Sequence, residues 1–389
     1  MASTRSPIVV IAPDSFKGSL DAPGVCRAIA IGLRRAWPEA ELRERPMADG
    51  GEGTLDAVLA AVGGDGSRRT QRVSGASGAQ HEAAWGLLER DGTRTAVIEA
   101  AQVVGITDPV GMRVPVTDRT TRGVGELMRE LLDAGITRFM IGLGGSSTND
   151  GGAGCLAALG MRLTDAGGRT IAPTPTGLAQ LERVDATALD ARLAAAQVTI
   201  MSDVSNPLNG ASGATAIFGP QKGVRPDEVD AIDTVLARFA ALAEAACGRS
   251  AARQPGAGAA GGLGFALQLI GARFASGADV VADLVGLDAA LADAGWAITG
   301  EGRSDAQTLL GKAPAIVADR ARRAGVPVSL LSGAVDERAL QALGERFAGC
   351  FALPARPMTL DECVAGASSL LADRAEAMAR LFALRGSRS

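Results

Sequence analysis

The sequence has no tyrosine and a single histidine, and only 3% of its 389 residues are aromatic. Proteins that bind single-stranded nucleic acid stack the bases on aromatic side chains, so this scarcity argues against that function. Because His81 is the only histidine, a Ser-His-Asp triad or a Cys-His dyad would depend on it, and the sequence around it offers no nucleophile. We therefore expect His81 at the surface or at a strand edge. A general base must come from aspartate, glutamate or lysine.

Neither positive nor negative charge is in large excess, because 39 basic and 43 acidic residues give a formal net charge of −4. A nucleic-acid-binding protein would show a basic face or domain. No apolar run reaches the length of a membrane span, so no membrane association is expected. The five cysteines are scattered without a CxxC pair, which is typical of reduced thiols and argues against zinc. We expect a cytoplasmic protein, with monomer and homodimer both left open.

The length and the pattern of apolar segments predict a two-domain α/β protein. Strands alternate with helices at both chain ends, which favours an open parallel sheet of the Rossmann or flavodoxin-like type. We assign residues 1–72 and 285–389 to this domain and residues 73–284 to an inserted second α/β domain. The glycine-rich stretch 254–264 is interpreted as a turn that opens a helix over 265–274. A closing helix is predicted over 360–384.

Five segments combine glycine with carboxylate, hydroxyl or lysine side chains, mostly where a predicted strand ends. Glycine lets the backbone approach an anion, lysine neutralises phosphate charge, and carboxylates hold magnesium or accept a proton. This chemistry points to phosphoryl transfer on a small acid. The segments contain neither GxxxxGK[ST] nor GxGxxG. They are residues 12–19, 47–54, 142–154, 218–223 and 299–312.

The first two segments each carry an acid that follows a strand. Asp14 and Lys17 lie on one turn, and Asp49 and Glu52 bracket two glycines. The carboxyl ends of parallel strands share one sheet edge, where ligands bind. Asp14 and Asp49 can therefore hold either one magnesium ion or one hydroxyl group. The alternative for Asp49 and Glu52 is helix capping and a favourable helix dipole.

The segment 142–154 predicts an anion site, because successive glycine and serine N–H groups before a helix form a nest. Asp150 follows as a candidate metal ligand. The predicted nucleotide-binding residues of this loop are Gly144, Gly145, Ser146, Ser147, Thr148 and Asn149.

Two further segments supply candidate residues. Asp203 ends a strand, Asn206 lies in a turn, and Lys222 lies on a bend flanked by glycine, where a solvated lysine is the alternative. In the segment 299–312, Glu301 lies between glycines at a strand end, and a buried Arg–Asp pair in a polar loop is the alternative. The other candidates of that segment are Arg303, Asp305 and Lys312.

Taken in order, these segments resemble the bacterial glycerate kinase family, of the glyoxylate- and glucarate-pathway type. The phrases that carry the resemblance are APDSFKGSL, MADGGEGT, GLGGSSTNDGGAG, FGPQKG, PGAGAAGGLG and TGEGRSDAQTL. It extends over most of the chain. It implies a Rossmann-like domain made of both chain ends, with a second α/β domain inserted. It also implies magnesium-assisted transfer of the γ-phosphoryl group of ATP to D-glycerate in an interdomain cleft, with 2-phosphoglycerate favoured as the product.

The resemblance supplies hypotheses for the site residues. Asp49 or Asp203 orients or deprotonates the attacking hydroxyl, with Lys17 and Glu301 also in catalytic positions. Glu52 and Asp150 are the candidate metal ligands. The predicted substrate-binding residues are Asp14, Asn206, Lys222, Arg303 and Asp305. Lys312 joins the loop 144–149 in binding the nucleotide, although which loop takes ATP stays open.

Two stretches depart from the family pattern, and they place Gln102 and Arg122 where smaller or aromatic residues are usual. These departures leave a kinase of a related hydroxy acid as an alternative. A dinucleotide-dependent dehydrogenase would require GxGxxG in the first turn, which instead contains Asp14 and Lys17. A non-catalytic regulator that binds sugar acids would not need lysine and carboxylate at several strand ends.

Overall fold

A computed structural model describes residues 7–90 and 92–386 of the chain. The predicted domain limits include residues 1–6, Asp91 and residues 387–389, which lie outside the described residues. None of the helices in the described ranges combines the length and apolar character needed to cross a membrane.

The strands are short, and most follow or precede a helix. In chain order they are β1 Ile8–Ile11, β2 Glu41–Glu44, β3 Gly66–Ser74, β4 Gln80–Arg90, β5 Thr93–Glu99, β6 Arg138–Gly142, β7 Arg162–Thr164, β8 Arg183–Asp185, β9 Gln197–Met201, β10 Arg273–Ala275, β11 Trp296–Thr299, β12 Arg303–Ser304, β13 Val328–Ser332, β14 Ala334–Val335 and β15 Gly349–Ala352.

The helices range from single turns to twenty residues. In chain order they are α1 Ala22–Ala36, α2 Thr54–Val62, α3 Ala100–Val104, α4 Pro109–Met112, α5 Arg122–Asp133, α6 Ala153–Ala158, α7 Pro175–Leu178, α8 Ala214–Phe218, α9 Val229–Cys247, α10 Leu263–Leu269, α11 Gly277–Leu284, α12 Leu287–Leu291, α13 Ala313–Arg323, α14 Leu340–Arg346, α15 Leu360–Ala365 and α16 Ala367–Gly386.

The described chain divides into two compact units. The first unit contains residues 7–49, 56–63 and 278–386, and the second contains residues 50–55 and 64–277 apart from Asp91. Compactness does not show that either unit folds by itself, so the domain limits 1–72, 73–284 and 285–389 stay predictions.

The first unit is built on a five-stranded sheet in the order β15-β13-β11-β1-β2, and every neighbouring pair is parallel. Its strands come from both chain ends, which confirms the predicted α/β fold class. β1 is apolar throughout, as expected of a strand covered on both faces. α1 begins at Asp21, whose carboxylate accepts the N–H of Gly24. Trp296 of β11 stacks on Phe382 of α16, with ring centroids 4.7 Å apart.

The second unit contains a six-stranded mixed sheet in the order β10-β9-β6-β5-β4-β3. β3, β4 and β5 form an antiparallel meander, and β5, β6, β9 and β10 run parallel. α5 presents Val124, Leu127 and Leu131 to the apolar core under this sheet. The parallel strands β5, β6 and β9 all end near the glycine-containing segment 142–154.

Two predicted helices were wrong in extent. The helix predicted over 265–274 ends at Leu269, because Gly271 adopts φ +98°, and residues 273–275 instead pair with β9 as β10. The closing helix predicted over 360–384 is two helices, α15 and α16, which are separated at Gly366. The stretch 254–264 is a largely buried turn that leads into α10, as predicted.

Candidate functional site

The first unit brings three of the predicted segments together at the carboxyl edge of its sheet. The N–H of Asp14 donates to the carbonyl of Gly300 at 2.8 Å, and the N–H of Met47 donates to the carbonyl of Pro13 at 2.9 Å. At Gly300 an added Cβ atom would lie 1.7 Å from the carbonyl oxygen of Leu331. Only glycine therefore allows the chain to leave β11 this close to β13.

These contacts gather Asp14, Asp49 and Glu301, called here the acidic cluster. Asp14 is 7% exposed. Burial, and next the negative charge of Asp49, raise the pKa of Asp14 from 3.8 to about 8, and Glu301 adds to the rise. The N–H of Ser15 and the charge of Lys17 oppose it. The acidic cluster therefore attracts a proton or a cation at neutral pH.

Glu301 is held by a network of hydroxyl groups. Its Oε1 accepts hydrogen bonds from Thr308 at 2.6 Å and from Ser304 at 3.1 Å, and Ser304 also contacts the hydroxyl of Ser332 at 2.8 Å. Its Oε2 lies 3.6 Å from Nζ of Lys312. Hydroxyl groups and Lys312, rather than the buried Arg–Asp pair of the alternative interpretation, therefore surround Glu301.

The other candidates of the first unit lie further toward solvent. Lys17 is exposed on the turn after β1. Arg303 is exposed and pairs with Asp336 at 3.2 Å, and Asp305 accepts the N–H of Gln307 as the cap of a short turn. The geometry thus gives Asp305 a local structural contact, while Lys17 keeps a side chain available to a ligand.

In the second unit, the loop after β6 encloses a buried ammonium group. Lys222 is 2% exposed. Its Nζ donates to the carbonyl of Thr148 at 2.7 Å and to Oγ of Ser146 at 3.2 Å. Burial lowers the pKa of Lys222 from 10.5 to about 7, and Arg119 lowers it further while Asp150 opposes the shift. Lys222 is therefore not the solvated turn lysine of the alternative interpretation.

Asp150 has a structural role in the same loop. Its carboxylate accepts hydrogen bonds from the N–H and hydroxyl of Thr121 and from the N–H groups of Gly152 and Gly154. Burial raises its pKa, and these bonds oppose the rise. Three of these bonds reach Oδ2 and one reaches Oδ1, so the carboxylate is held by its own loop and by Thr121. A metal contact of Asp150 stays a prediction.

Arg119 was missed as a functional candidate. Its guanidinium donates to the carbonyls of Ser147 and Lys222, both at 3.0 Å, and so joins the loop after β6 to the turn that carries Lys222. The sequence offered only a weak signal, an arginine in a threonine-containing stretch before α5. A side chain that bonds carbonyl groups of distant segments leaves no pattern in its own neighbourhood.

The other candidates of the second unit differ in exposure and in hydrogen bonding. Glu52 is exposed before α2, and Asp203 is exposed after β9. The side chain of Asn206 donates to the carbonyl of Ser212 at 2.8 Å and so stabilises its own turn. The side-chain amide of Asn149 donates to the hydroxyl of Thr215 at 3.0 Å. Two buried oxygen atoms, Oδ1 of Asn149 and the hydroxyl oxygen of Thr148, have no hydrogen-bond partner among the described residues.

A magnesium ion is compatible with the acidic cluster. Mg²⁺ prefers hard oxygen ligands and is usually held by one or two carboxylates together with substrate phosphates and water. Asp14 and Asp49 supply such oxygens. No group of three or more histidine, cysteine or acidic side chains in the described ranges forms a metal cage. The residues present therefore fit an ion that arrives with a nucleotide.

The chain contains only three lysines, Lys17, Lys222 and Lys312, and uses arginine for its other basic residues. All three lie in the segments singled out above. Lysine differs from arginine because its ammonium is a compact point charge whose pKa shifts readily on burial.

Comparison with known proteins gives consistent matches. A family model described as the glycerate kinase family matches residues 9–383. Glycerate kinase of Bacillus subtilis (strain 168) is 45% identical over 84% of this chain and 85% of its own. Glycerate 2-kinase of Escherichia coli (strain K12) is 40% identical over 92% of this chain and 93% of its own. A Salmonella typhimurium LT2 protein assigned as glycerate kinase 2 has a crystal structure that matches with a TM-score of 0.85, at 40% identity, over 98% of this chain and 100% of its own.

Proposed function

Because the chain belongs to the glycerate kinase family, we propose that it transfers the γ-phosphoryl group of ATP to a hydroxyl group of D-glycerate. The observation that supports the reaction chemistry is the acidic cluster, in which Asp14, Asp49 and Glu301 meet at the carboxyl ends of parallel strands. Open α/β sheets bind ligands at that edge.

In the proposed reaction, Asp49 orients the acceptor hydroxyl and receives its proton. The hydroxyl oxygen forms a bond to the γ-phosphorus, the bond from that phosphorus to the β-bridging oxygen breaks, and ADP leaves. Burial beside Asp49 keeps Asp14 protonated at neutral pH until a cation or ligand arrives. We therefore assign the proton acceptor to Asp49 and a ligand-binding contact to Asp14.

The cations of the first unit stabilise the transferring charge in this proposal. Lys17 is exposed on the turn beside Asp14, and Lys312 lies 3.6 Å from Glu301. Glu301 is fixed by two hydroxyl donors and so positions Lys312. Magnesium, when bound with ATP, would supply further charge neutralisation for the phosphates, and Asp14 would be its carboxylate ligand.

The product we favour is 2-phosphoglycerate, and the support is that the 40% identical relative from Escherichia coli is named glycerate 2-kinase. The substrate contacts of Arg303, Asp305 and Asn206, the catalytic role of Asp203, the metal contact of Glu52 and the closure of two domains over the substrates stay predictions.

The experiment is an ADP-release assay with purified protein, magnesium-ATP and D-glycerate. Enolase, supplied without a mutase, then reports the product, because it dehydrates 2-phosphoglycerate but not 3-phosphoglycerate. We expect ADP release that depends on D-glycerate and a stoichiometric enolase product. L-glycerate and other small hydroxy acids, tested in parallel, define the acceptor.

Three results would contradict parts of the proposal. Absence of glycerate-dependent ADP release would exclude the kinase activity. An enolase product that appears only after mutase is added would exclude the 2-phosphoglycerate assignment. Faster turnover with another hydroxy acid would show that this acid, and not D-glycerate, is the preferred acceptor.

A further inference from the structure

A cavity of about 200 Å³ lies in the second unit at the loop after β6. Its lining includes Gly144, Gly145 and Ser146 on one side and Gln221 and Lys222 on the other. Pockets that enclose drug-sized ligands measure about 300–1,000 Å³. The cavity is therefore suited to a small charged group rather than to a whole nucleotide.

The donors that face this cavity have unused capacity. An ammonium group has three N–H donors, and Lys222 uses two of them, on Ser146 and Thr148. The backbone N–H groups of Gly145 and Ser146 donate to no described residue. Gly145 adopts φ +72°, the left-handed conformation that turns successive N–H groups toward one point.

The cavity wall also contains backbone strain. Ala260, which lines it, adopts φ +51° and is the one residue other than glycine with a positive φ in the described chain. Such strained conformations cluster at active sites and ligand-binding sites. The neighbouring Gly261 approaches so closely that an added Cβ would lie 2.1 Å from the carbonyl oxygen of Thr148.

We propose that the loop 144–146 and Lys222 form one oxyanion-binding site in the second unit. The sequence assigned the loop to the nucleotide and Lys222 to the substrate, but the contacts of Lys222 with Ser146 and Thr148 place both at one point of the cavity wall. The ligand is a carboxylate or phosphate oxyanion. Its two candidate sources, D-glycerate and ADP or ATP, rest on the proposed function.

Ligand binding at this site should be coupled to protonation of Lys222. The charged groups that act on Lys222 are Asp150, which favours its ammonium form, and Arg119, which opposes it. The carboxylate of Asp150 already accepts four hydrogen bonds, from Thr121, Gly152 and Gly154. An entering oxyanion adds a negative charge beside the ammonium and stabilises it. Near pH 7 the ligand therefore enters together with a proton, and its affinity falls as the pH rises toward 9.

Because the chain has three lysines, the test can observe each of them directly. Protein labelled with ¹³C at lysine Cε gives three NMR signals, which Lys17→Met, Lys222→Met and Lys312→Met assign by elimination. Each signal is titrated from pH 5 to 10 in the free protein and with inorganic phosphate, ADP or D-glycerate. We expect the midpoint of Lys222 to rise by at least one pH unit with one source.

The ligand arms separate the sources. A rise with phosphate and ADP identifies the site as a phosphate site, and a rise with D-glycerate alone identifies a carboxylate site. Calorimetry should then show that Lys222→Met weakens that ligand at least tenfold and abolishes its proton uptake, while Arg162→Met, a control at an exposed residue of β7 in the second unit, keeps the uptake. An unchanged Lys222 midpoint with all three ligands would overturn the proposal, whether or not the kinase assay succeeds.

Discussion

At the scale of single residues, burial decides which charged groups are useful for chemistry. Burial changes the pKa values of Asp14 and Lys222 in opposite directions, each toward neutrality. Desolvation penalises the charged form of each, so a carboxylate becomes a proton carrier and an ammonium becomes partly neutral. Both groups can therefore respond to a ligand of the right charge.

Replacing Asp14 with asparagine should change how stability depends on pH. The pKa of Asp14 rises from 3.8 to about 8 on folding, so between these values the folded state binds the extra proton. The free energy of unfolding then falls as the pH rises through this window, by at most about 1.4 kcal/mol per pH unit. Urea unfolding from pH 4.5 to 8 should show a flatter pH dependence for Asp14→Asn. A pH dependence parallel to that of the wild type would contradict the shift.

Lys222→Met should change stability in the opposite sense at higher pH. The pKa of Lys222 falls from 10.5 to about 7 on folding, so between pH 7 and 10 the unfolded state binds the extra proton. The contribution to the free energy of unfolding therefore rises with pH across this window and is lost as the pH falls through 7. Urea unfolding of the variant should lack this rise. An equal rise in both proteins would show that Lys222 titrates normally.

At the scale of elements, close approach of loops fixes the site. The turn that contains Gly261 packs against the loop after β6, and the N–H of Gly151 donates to the carbonyl of Gly261 at 2.9 Å. The apolar periodicity predicted the strands and helices on either side of these loops. It could not predict the contact, because packing of two glycine-containing segments depends on the arrangement of the whole sheet.

Gly261→Ala and Gly248→Ala form a matched pair. Both glycines lie in the second unit, with φ values of +66° and +63°, but only Gly261 has atoms within 4 Å of an added Cβ. Gly248→Ala should cost about 1–2 kcal/mol from the left-handed backbone alone. Gly261→Ala should cost about 1–3 kcal/mol more from overpacking and should weaken ligand binding at the second unit. If urea unfolding showed equal losses of unfolding free energy for the two variants, the turn that contains Gly261 would be able to move away from the loop after β6 at no cost.

From its contacts, we expect Arg119 to position the loop and the lysine that line the cavity. Arg119→Met removes the donors to the carbonyls of Ser147 and Lys222. We expect KM for the ligand of the second unit to rise at least tenfold while kcat falls less. Arg119→Lys should recover part of the affinity, since it keeps a charge but not the fork of donors. A loss of kcat at unchanged KM would instead assign Arg119 to the chemical step.

At the scale of the whole molecule, the sequence predicted the sheet better than the site. Strand–helix alternation at both chain ends predicted the parallel sheet, because short apolar strands followed by helices have few other solutions. The site residues were harder. Asp150 has the residue type of a metal ligand, but its hydrogen bonds come from three N–H groups and one hydroxyl group that no sequence pattern reveals. Arg119 acts through carbonyl groups that carry no side-chain signal.

The two units also differ in the charge that they offer. The first unit contains the acidic cluster, which we propose acts on a hydroxyl group, and the second contains a buried ammonium and backbone N–H groups, which we propose bind an oxyanion. A kinase needs both kinds of site, because the acceptor hydroxyl must lose a proton while phosphate charge is stabilised. The proposed chemistry therefore requires residues from distant parts of the chain.

The central claim is that the acidic cluster carries phosphoryl transfer, and turnover of Asp49→Asn tests it most directly. The control is Asp361→Asn, at an exposed aspartate in the first turn of α15. ADP release with saturating magnesium-ATP and D-glycerate gives kcat for each protein. We predict that Asp49→Asn lowers kcat by about 10²–10⁴-fold while Asp361→Asn stays within twofold of wild type. A folded Asp49→Asn variant that keeps more than a tenth of wild-type kcat would contradict the account.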